Sequence, residues 1–228
     1  MILHAYWRSS SSWRVRIALN LKKVKYVIKP VHLVKREQKT PAYIALNPSA
    51  QVPTLEIDGY VLTQSLAIIE YLEESRRFQG AKLLPKCESE RVKVRMIAEI
   101  INSGIQPVQN FSVGLRIAEL IKEASKNTLS KEELLQYRTQ WNKEVIERGF
   151  NALEPVLQKT AGTYCVGNDI TIADVCLVPQ VYNARRYKCD MKQWPNIARI
   201  DAECMKHPAF TAAHPDKQPD AVKPQSKL

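Results

Sequence analysis

The sequence predicts two domains in series: a small mixed α/β domain over residues 1–80 and an all-helical domain over residues 88–215. Three observations carry that expectation. Up to residue 80, short β-branched and aromatic runs alternate with helical stretches, the pattern of a sheet with helices on its faces. From about Glu88 the strand signals vanish and helical periodicity takes over. Between the two lies RRFQGAKLLPKCESE, residues 76–90, with the composition of a linker. A chain of 228 residues, 45% hydrophobic and 25% charged, has material for one sizeable core or two smaller ones.

The elements of the first domain follow in order. ILHAY (2–6) is a short apolar strand, and WRVRIALNLKK (13–23) is apolar on most of its circumference, as a helix covered by other elements must be. VKYVIKPV (24–31) is β-branched and aromatic, with Pro30 suited to a strand end or a sheet edge. VPTLEI (52–57) and YVLT (60–63) flank Asp58-Gly59, a pair that tolerates the positive φ of a tight hairpin. SLAIIEYLEES (65–75) is a helix, with Ser65 as its expected N-cap.

In the second domain, SERVKVRMIAEIINSGIQPVQNF (89–111) predicts one long helix, kinked or broken at Pro107. A further helix starts at Ser130, where Glu133 stands at capping-box spacing; Leu134, Tyr137, Trp141 and Val145 fall on one of its faces. ITIADVCLVPQVYNARRY (170–187) carries a second box, Thr171 with Asp174, and places Ile170 and Val175 to make a hydrophobic staple. Asp174 is therefore expected to serve folding rather than catalysis. PDKQPDAVKPQSKL, the last fourteen residues, is proline-rich and polar and predicts a flexible tail over 216–228.

Composition excludes several functions. No apolar run approaches the roughly 20 residues of a membrane span, and MILHAYWR turns polar too soon for a secretory signal. A cytoplasmic enzyme with no membrane partner is expected. Five scattered cysteines, never in a C-x-x-C pair, argue against a disulfide framework or a zinc site, and four isolated histidines imply no metal. The net charge of +11 is spread along the chain, with 12 Lys/Arg against 6 Asp/Glu in residues 1–80 and 22 against 17 beyond. Without a basic run interleaved with aromatics, that charge suits anionic small molecules better than nucleic acid.

The serines of RSSSSWRVRIAL (8–19) lie between the first strand and the first helix. Helix amides at such a point face outward, and the helix dipole favours an anion. Ser9 to Ser12 can cap the helix and do nothing more; alternatively, a hydroxyl there donates to a bound thiolate and, with the dipole, lowers the thiol's pKa. Val52-Pro53 stands just before a strand, where proline fixes an extended or tight-turn geometry and a cis bond is allowed. Gln64 and Ser65 begin another helix, a second place suited to a carboxylate. These are the pieces of a thioredoxin-like domain that binds glutathione.

SSSSWRVRIAL, LNPSAQVPTL, IDGYVLTQSLAIIEYLEE, IQPVQN and TYCVGNDITIADVCLVPQVYNARRY together resemble the zeta class of glutathione transferases, over about residues 2–215. That class includes maleylacetoacetate isomerase. The resemblance implies a glutathione transferase fold, glutathione as cofactor, and a homodimer. It implies Ser9, Ser10 and Ser11 as the catalytic run, with the Ser9 hydroxyl stabilising the glutathione thiolate. It implies Gln64 and Ser65 at the γ-glutamyl end, Val52 and cis Pro53 beside the cysteinyl part, and Gln109 near the substrate side of the glutathione site. Arg8 and Arg186 would bind a substrate with two carboxylates through charge-assisted bonds.

The implied reaction is glutathione-dependent cis-trans isomerisation of maleylacetoacetate to fumarylacetoacetate, in tyrosine and phenylalanine catabolism. The alternatives are a detoxifying transferase acting on α-halo acids and other electrophiles, and a non-catalytic glutathione-binding module. One departure from the family run Ser-Ser-Cys-Ser is Ser11, standing where the cysteine would be. The catalytic sulfur belongs to glutathione, so the departure bears on the orientation of ligands rather than on the chemistry. Residues 112–147 are longer than the family pattern and would reshape one wall of the substrate pocket. Ser226-Lys227-Leu228 matches the tripeptide read by the peroxisomal import receptor.

Overall fold

A computed structural model of the chain describes residues 1–75 and 77–222. The Ser226-Lys227-Leu228 tripeptide lies outside the described residues. The chain divides into two compact units, residues 1–83 with residues 205 onward, and residues 84–204.

In the first unit, β1 (Ile2–Ala5), β2 (Val27–Pro30), β3 (Thr54–Ile57) and β4 (Tyr60–Thr63) form a mixed sheet in the order β2-β1-β3-β4. β1 runs parallel to β2 and antiparallel to β3, and β3 and β4 are the antiparallel arms of a hairpin. Asp58 and Gly59 take φ of 51° and 80° at the hairpin tip, the left-handed pair that Asp-Gly was expected to supply. Pro30 ends the edge strand β2, where no ladder needs its missing N–H. α1 (Ser10–Leu21) packs against α3 (Ser65–Glu74) and against the short α9 (Pro208–Ala212), and a two-turn α2 (Pro41–Leu46) precedes β3. Leu3, Val15, Ile17, Leu19, Leu55, Ile68, Ile69 and Leu72 are fully buried and form the core.

The stretch expected to be a linker is built into this unit as far as Leu83. A Cβ on Gly80 would lie 2.4 Å from the Leu21 carbonyl oxygen, so only glycine allows that approach. Ala81 N–H donates to the same oxygen at 3.1 Å. Lys22 and Glu73 form a buried ion pair, and Glu73 also accepts the Leu83 N–H at 3.0 Å.

The second unit holds α4 (Glu88–Glu99), α5 (Phe111–Ala124), α6 (Lys131–Thr160), α7 (Ile172–Arg186) and α8 (Pro195–Cys204). The long helix expected over 89–111 is interrupted rather than kinked. After Glu99 the backbone widens into a π-helical turn, Ile100–Ile105, in which Gln106 N–H reaches the Ile101 carbonyl at 3.0 Å. Pro107 cannot donate to the next carbonyl, and the helix ends before Asn110 caps α5. The Ser130 box forms as expected: Glu133 N–H donates to Ser130 Oγ at 3.2 Å and Ser130 N–H to Glu133 Oε2 at 2.8 Å. Of the residues that share one face of that helix, Tyr137 is 48% exposed whereas Val145 is buried.

The expectation of a flexible tail from residue 216 fails for its first part. Pro215–Lys217 is a 3-10 turn, and Gln218 is buried, its Nε2 donating to the carbonyls of Ala212 and His214. The Gln218 bonds close a local turn, and the tertiary anchor is Asp220, whose carboxylate accepts the Trp7 N–H at 2.9 Å across 213 positions, a pairing that local composition does not reveal.

Candidate active site

Ser9 is the N-cap of α1, extended at φ −72° and ψ 118°. Its Oγ accepts the Ser12 N–H at 3.2 Å, and its carbonyl accepts the Trp13 N–H at 2.9 Å. The capping expectation therefore holds. It does not exhaust the hydroxyl, which still has its own proton to give. Ser9, Ser10 and Ser11 are half-buried, and no acidic residue occupies the first turn of α1. No carboxylate in that first turn offsets the positive end of the helix.

Val52-Pro53 is cis, with Pro53 buried directly before β3. Gln64 caps α3 with φ 66° and is exposed; Ser65, expected as the cap, is instead the first helical residue and 5% exposed. That correction has a physical reason. The Ser65 hydroxyl turns inward and accepts Arg14 Nη1 at 3.2 Å, so it is occupied as an acceptor rather than as a cap. Arg14, fully buried on α1, thus ties the beginning of one helix to the beginning of another. Sequence reasoning missed Arg14; a charged residue within a covered helix was the signal available for it.

The remaining expected residues are more scattered. Arg8 is half-buried, its guanidinium 4.8 Å over the Trp7 ring. Gln109 and Arg186 belong to the second unit. Gln109 is buried, and its side-chain amide is paired reciprocally with Gln180 on α7, at 2.9 Å and 3.1 Å. Gln106 donates to the same Gln180 oxygen at 3.3 Å. Arg186 is exposed in the last turn of α7, 5.1 Å over the Tyr187 ring.

A four-stranded thioredoxin-like sheet, a serine-capped first helix, a cis proline before the third strand and a separate all-helical unit define the glutathione transferase class. Residues 8–75 match the N-terminal domain of glutathione S-transferases and residues 118–211 the C-terminal domain. A probable maleylacetoacetate isomerase 2 of Drosophila melanogaster is 49% identical over 96% of this chain and 89% of its own length. The maleylacetoacetate isomerase of Mus musculus is 48% identical over 96% and 94%. Among solved structures, a bacterial zeta-class maleyl pyruvate isomerase superposes with a TM-score of 0.87 at 39% identity, covering 97% of this chain and 100% of that one. Maleylacetoacetate isomerase of Anaeromyxobacter dehalogenans, with glutathione bound in its active site, gives 0.81 at 42% identity and 97% coverage of each chain. The chain belongs to the glutathione S-transferase family, and within it to the zeta class with the maleylacetoacetate isomerases.

Proposed function

We propose that the protein is a glutathione-dependent cis-trans isomerase converting maleylacetoacetate to fumarylacetoacetate, with Ser9 as the residue that holds the glutathione thiolate. The observation that carries this reading is the Ser9 hydroxyl: it accepts the Ser12 N–H, leaving its proton to an anion at a helix end without a carboxylate of its own. Glutathione, when bound, supplies a thiolate that adds to the cis double bond and leaves again once the remaining single bond has rotated.

The chain's own residues fit that ligand. Ser10 and Ser11 complete the first turn beside Ser9, and the α1 dipole lowers the thiol's pKa. Gln64 and Ser65 hold the γ-glutamyl carboxylate at the second helix start, where the Ser65 hydroxyl that accepts Arg14 Nη1 keeps a proton to donate. Val52 offers its backbone, before cis Pro53, to the cysteinyl part. Arg8, beside the serine run, offers a cation to a substrate carboxylate; Arg186, exposed at the end of α7, and the buried Gln109 are the second unit's candidates for ligand contact.

Ser9→Ala tests the reading. A thiol returned fully to its ordinary pKa of about 8.5 is about 3% ionised at pH 7, so with the α1 dipole still in place isomerisation of maleylacetone should fall by up to about thirtyfold. Unchanged turnover would remove Ser9 from the mechanism. Conjugation of glutathione to α-halo acids is a second use of the same site, favoured by Ser11 in place of the family cysteine; stoichiometric glutathione loss without isomerisation is its sign. A homodimer fits the exposed apolar pairs Val92 and Met96 on α4 and Tyr60 and Val61 on β4, and is tested by a solution mass twice the 26.0 kDa of the chain. A cytoplasmic site of action, against peroxisomal import through Ser226-Lys227-Leu228, is tested by the distribution of a fluorescent protein bearing residues 215–228.

A further inference from the structure

The segment after α9 returns to the connection that carries the serine run. β1 ends at Ala5 and α1 begins at Ser10, so Tyr6 to Ser9 is the link between them. Trp7 N–H donates to Asp220 Oδ2 at 2.9 Å. The Trp7 carbonyl accepts Arg16 Nη2 at 3.0 Å, and Arg16 Nε donates to the Ala213 carbonyl at 3.1 Å. Arg16 is 1% exposed, and burial lowers its pKa to about 10, partly offset by Tyr26 and Asp220, so it remains a cation at neutral pH. His214 packs edge-on against Trp13 at 5.2 Å between ring centres. Gln218 closes residues 212–218 into a hook by bonding two of its carbonyls, at 3.2 Å and 2.8 Å. The N–H and the C=O of Trp7 are thus both held, one by a carboxylate just past the hook and the other by an arginine anchored on it. Two residues on, Ser9 N–H is fixed to the Tyr6 carbonyl at 3.0 Å.

We propose that Asp220 is a positioning residue for the thiolate site: its carboxylate fixes the Trp7 amide and, through that short link, the direction of the Ser9 hydroxyl. This rests on the reading of Ser9 as the thiolate's donor. An amide bonded to a carboxylate is a charge-assisted contact, among the stronger ones available to a backbone. Without it, Tyr6 to Ser9 keeps its fold but gains freedom, and a hydroxyl displaced by a fraction of an ångström serves a thiolate poorly while still capping the helix.

The experiment titrates the ultraviolet absorbance of the thiolate in glutathione bound to the full chain, together with kcat and KM for maleylacetone. Asp220→Ala should raise the apparent pKa of the bound thiol and lower kcat about tenfold, with glutathione affinity within about twofold of the parent. Asp220→Asn keeps an acceptor oxygen at the same reach and should recover most of both. If the alanine variant is unstable, Asp220→Glu, one methylene too long, must show the same raised pKa. A thiol pKa unchanged in Asp220→Ala overturns the proposal, as does an equal loss in the alanine and asparagine variants. Ser9→Ala separates the two readings. If it leaves the thiol pKa unmoved, the assignment of Ser9 fails and the role of Asp220 with it. If it moves the pKa and Asp220→Ala does not, the positioning role alone fails.

Discussion

The starts of α1 and α7 are built from the same local signal, a hydroxyl residue before a covered helix, and end as opposites. At α7 the chain fills its own anion slot. Asp174, fully buried, takes the Thr171 N–H at 2.8 Å, the Thr171 hydroxyl at 2.9 Å and the Cys165 N–H at 2.8 Å. At α1 the Ser9 oxygen takes one amide, no carboxylate follows in the first turn, and the serines stay half-buried. A helix start becomes a folding device when the sequence supplies the anion and a place for ligand when it withholds one.

The largest effect that tests this contrast is Asp174→Ala. It strands three buried donors, and the loss should be about 3 kcal/mol, read as a melting temperature lower by roughly 6–12 °C. A shift below about 2 °C would mean that the α7 box is not what holds that helix. Ser9→Asp makes α1 resemble α7. Aspartate caps as well as serine, so stability should hold within about 1 kcal/mol. Turnover should fall about a hundredfold, because a carboxylate beside the thiolate opposes its ionisation. An active Ser9→Asp variant would break the comparison outright.

Smaller effects sharpen it. Arg14→Met frees the Ser65 oxygen and should weaken glutathione binding about tenfold in titration calorimetry. Ser130→Ala removes a solvent-facing cap and should cost about 1 kcal/mol with no effect on turnover. The smallest is a slope. Burial raises the Asp174 pKa against the pull of its hydrogen bonds from Cys165 and Thr171. The folded state then holds this proton more tightly than the unfolded one, so the group's contribution to stability is lost as pH rises from about 4 through its folded value. Asp174→Asn should flatten that part of the curve, in denaturant melts taken across the acid range.

Much of this was legible in the chain because it is local. The Asp58-Gly59 turn, both capping boxes and the edge position of Pro30 each depend on a few neighbouring residues, and all formed as the sequence implied. What escaped is pairing at long range. Asp220 finds the Trp7 amide 213 positions away, Arg14 finds Ser65 across 51 positions, and Gln109 closes on Gln180 across 71. Proline, lysine, glutamine and aspartate in PDKQPD look like linker until the backbone they bind is in place. Pro107 announced a break in its helix but not the π-helical turn ahead of it, which is set by the backbone closing from Gln106 to Ile101.

The hook also bears on how the molecule is made. Synthesis delivers β1 and the serine run first, then β2, β3, β4 and the whole of residues 84–204, and only afterwards Ala213 and Asp220. On the ribosome, the sheet unit therefore waits with the Trp7 amide and the Arg16 Nε donor uncommitted while the later, contiguous helical unit has every residue it needs to fold. A nascent chain stopped before residue 213 carries the serine run without the Ala213 and Asp220 contacts, so residues 213–220 arrive as the clasp on the part of the protein made first.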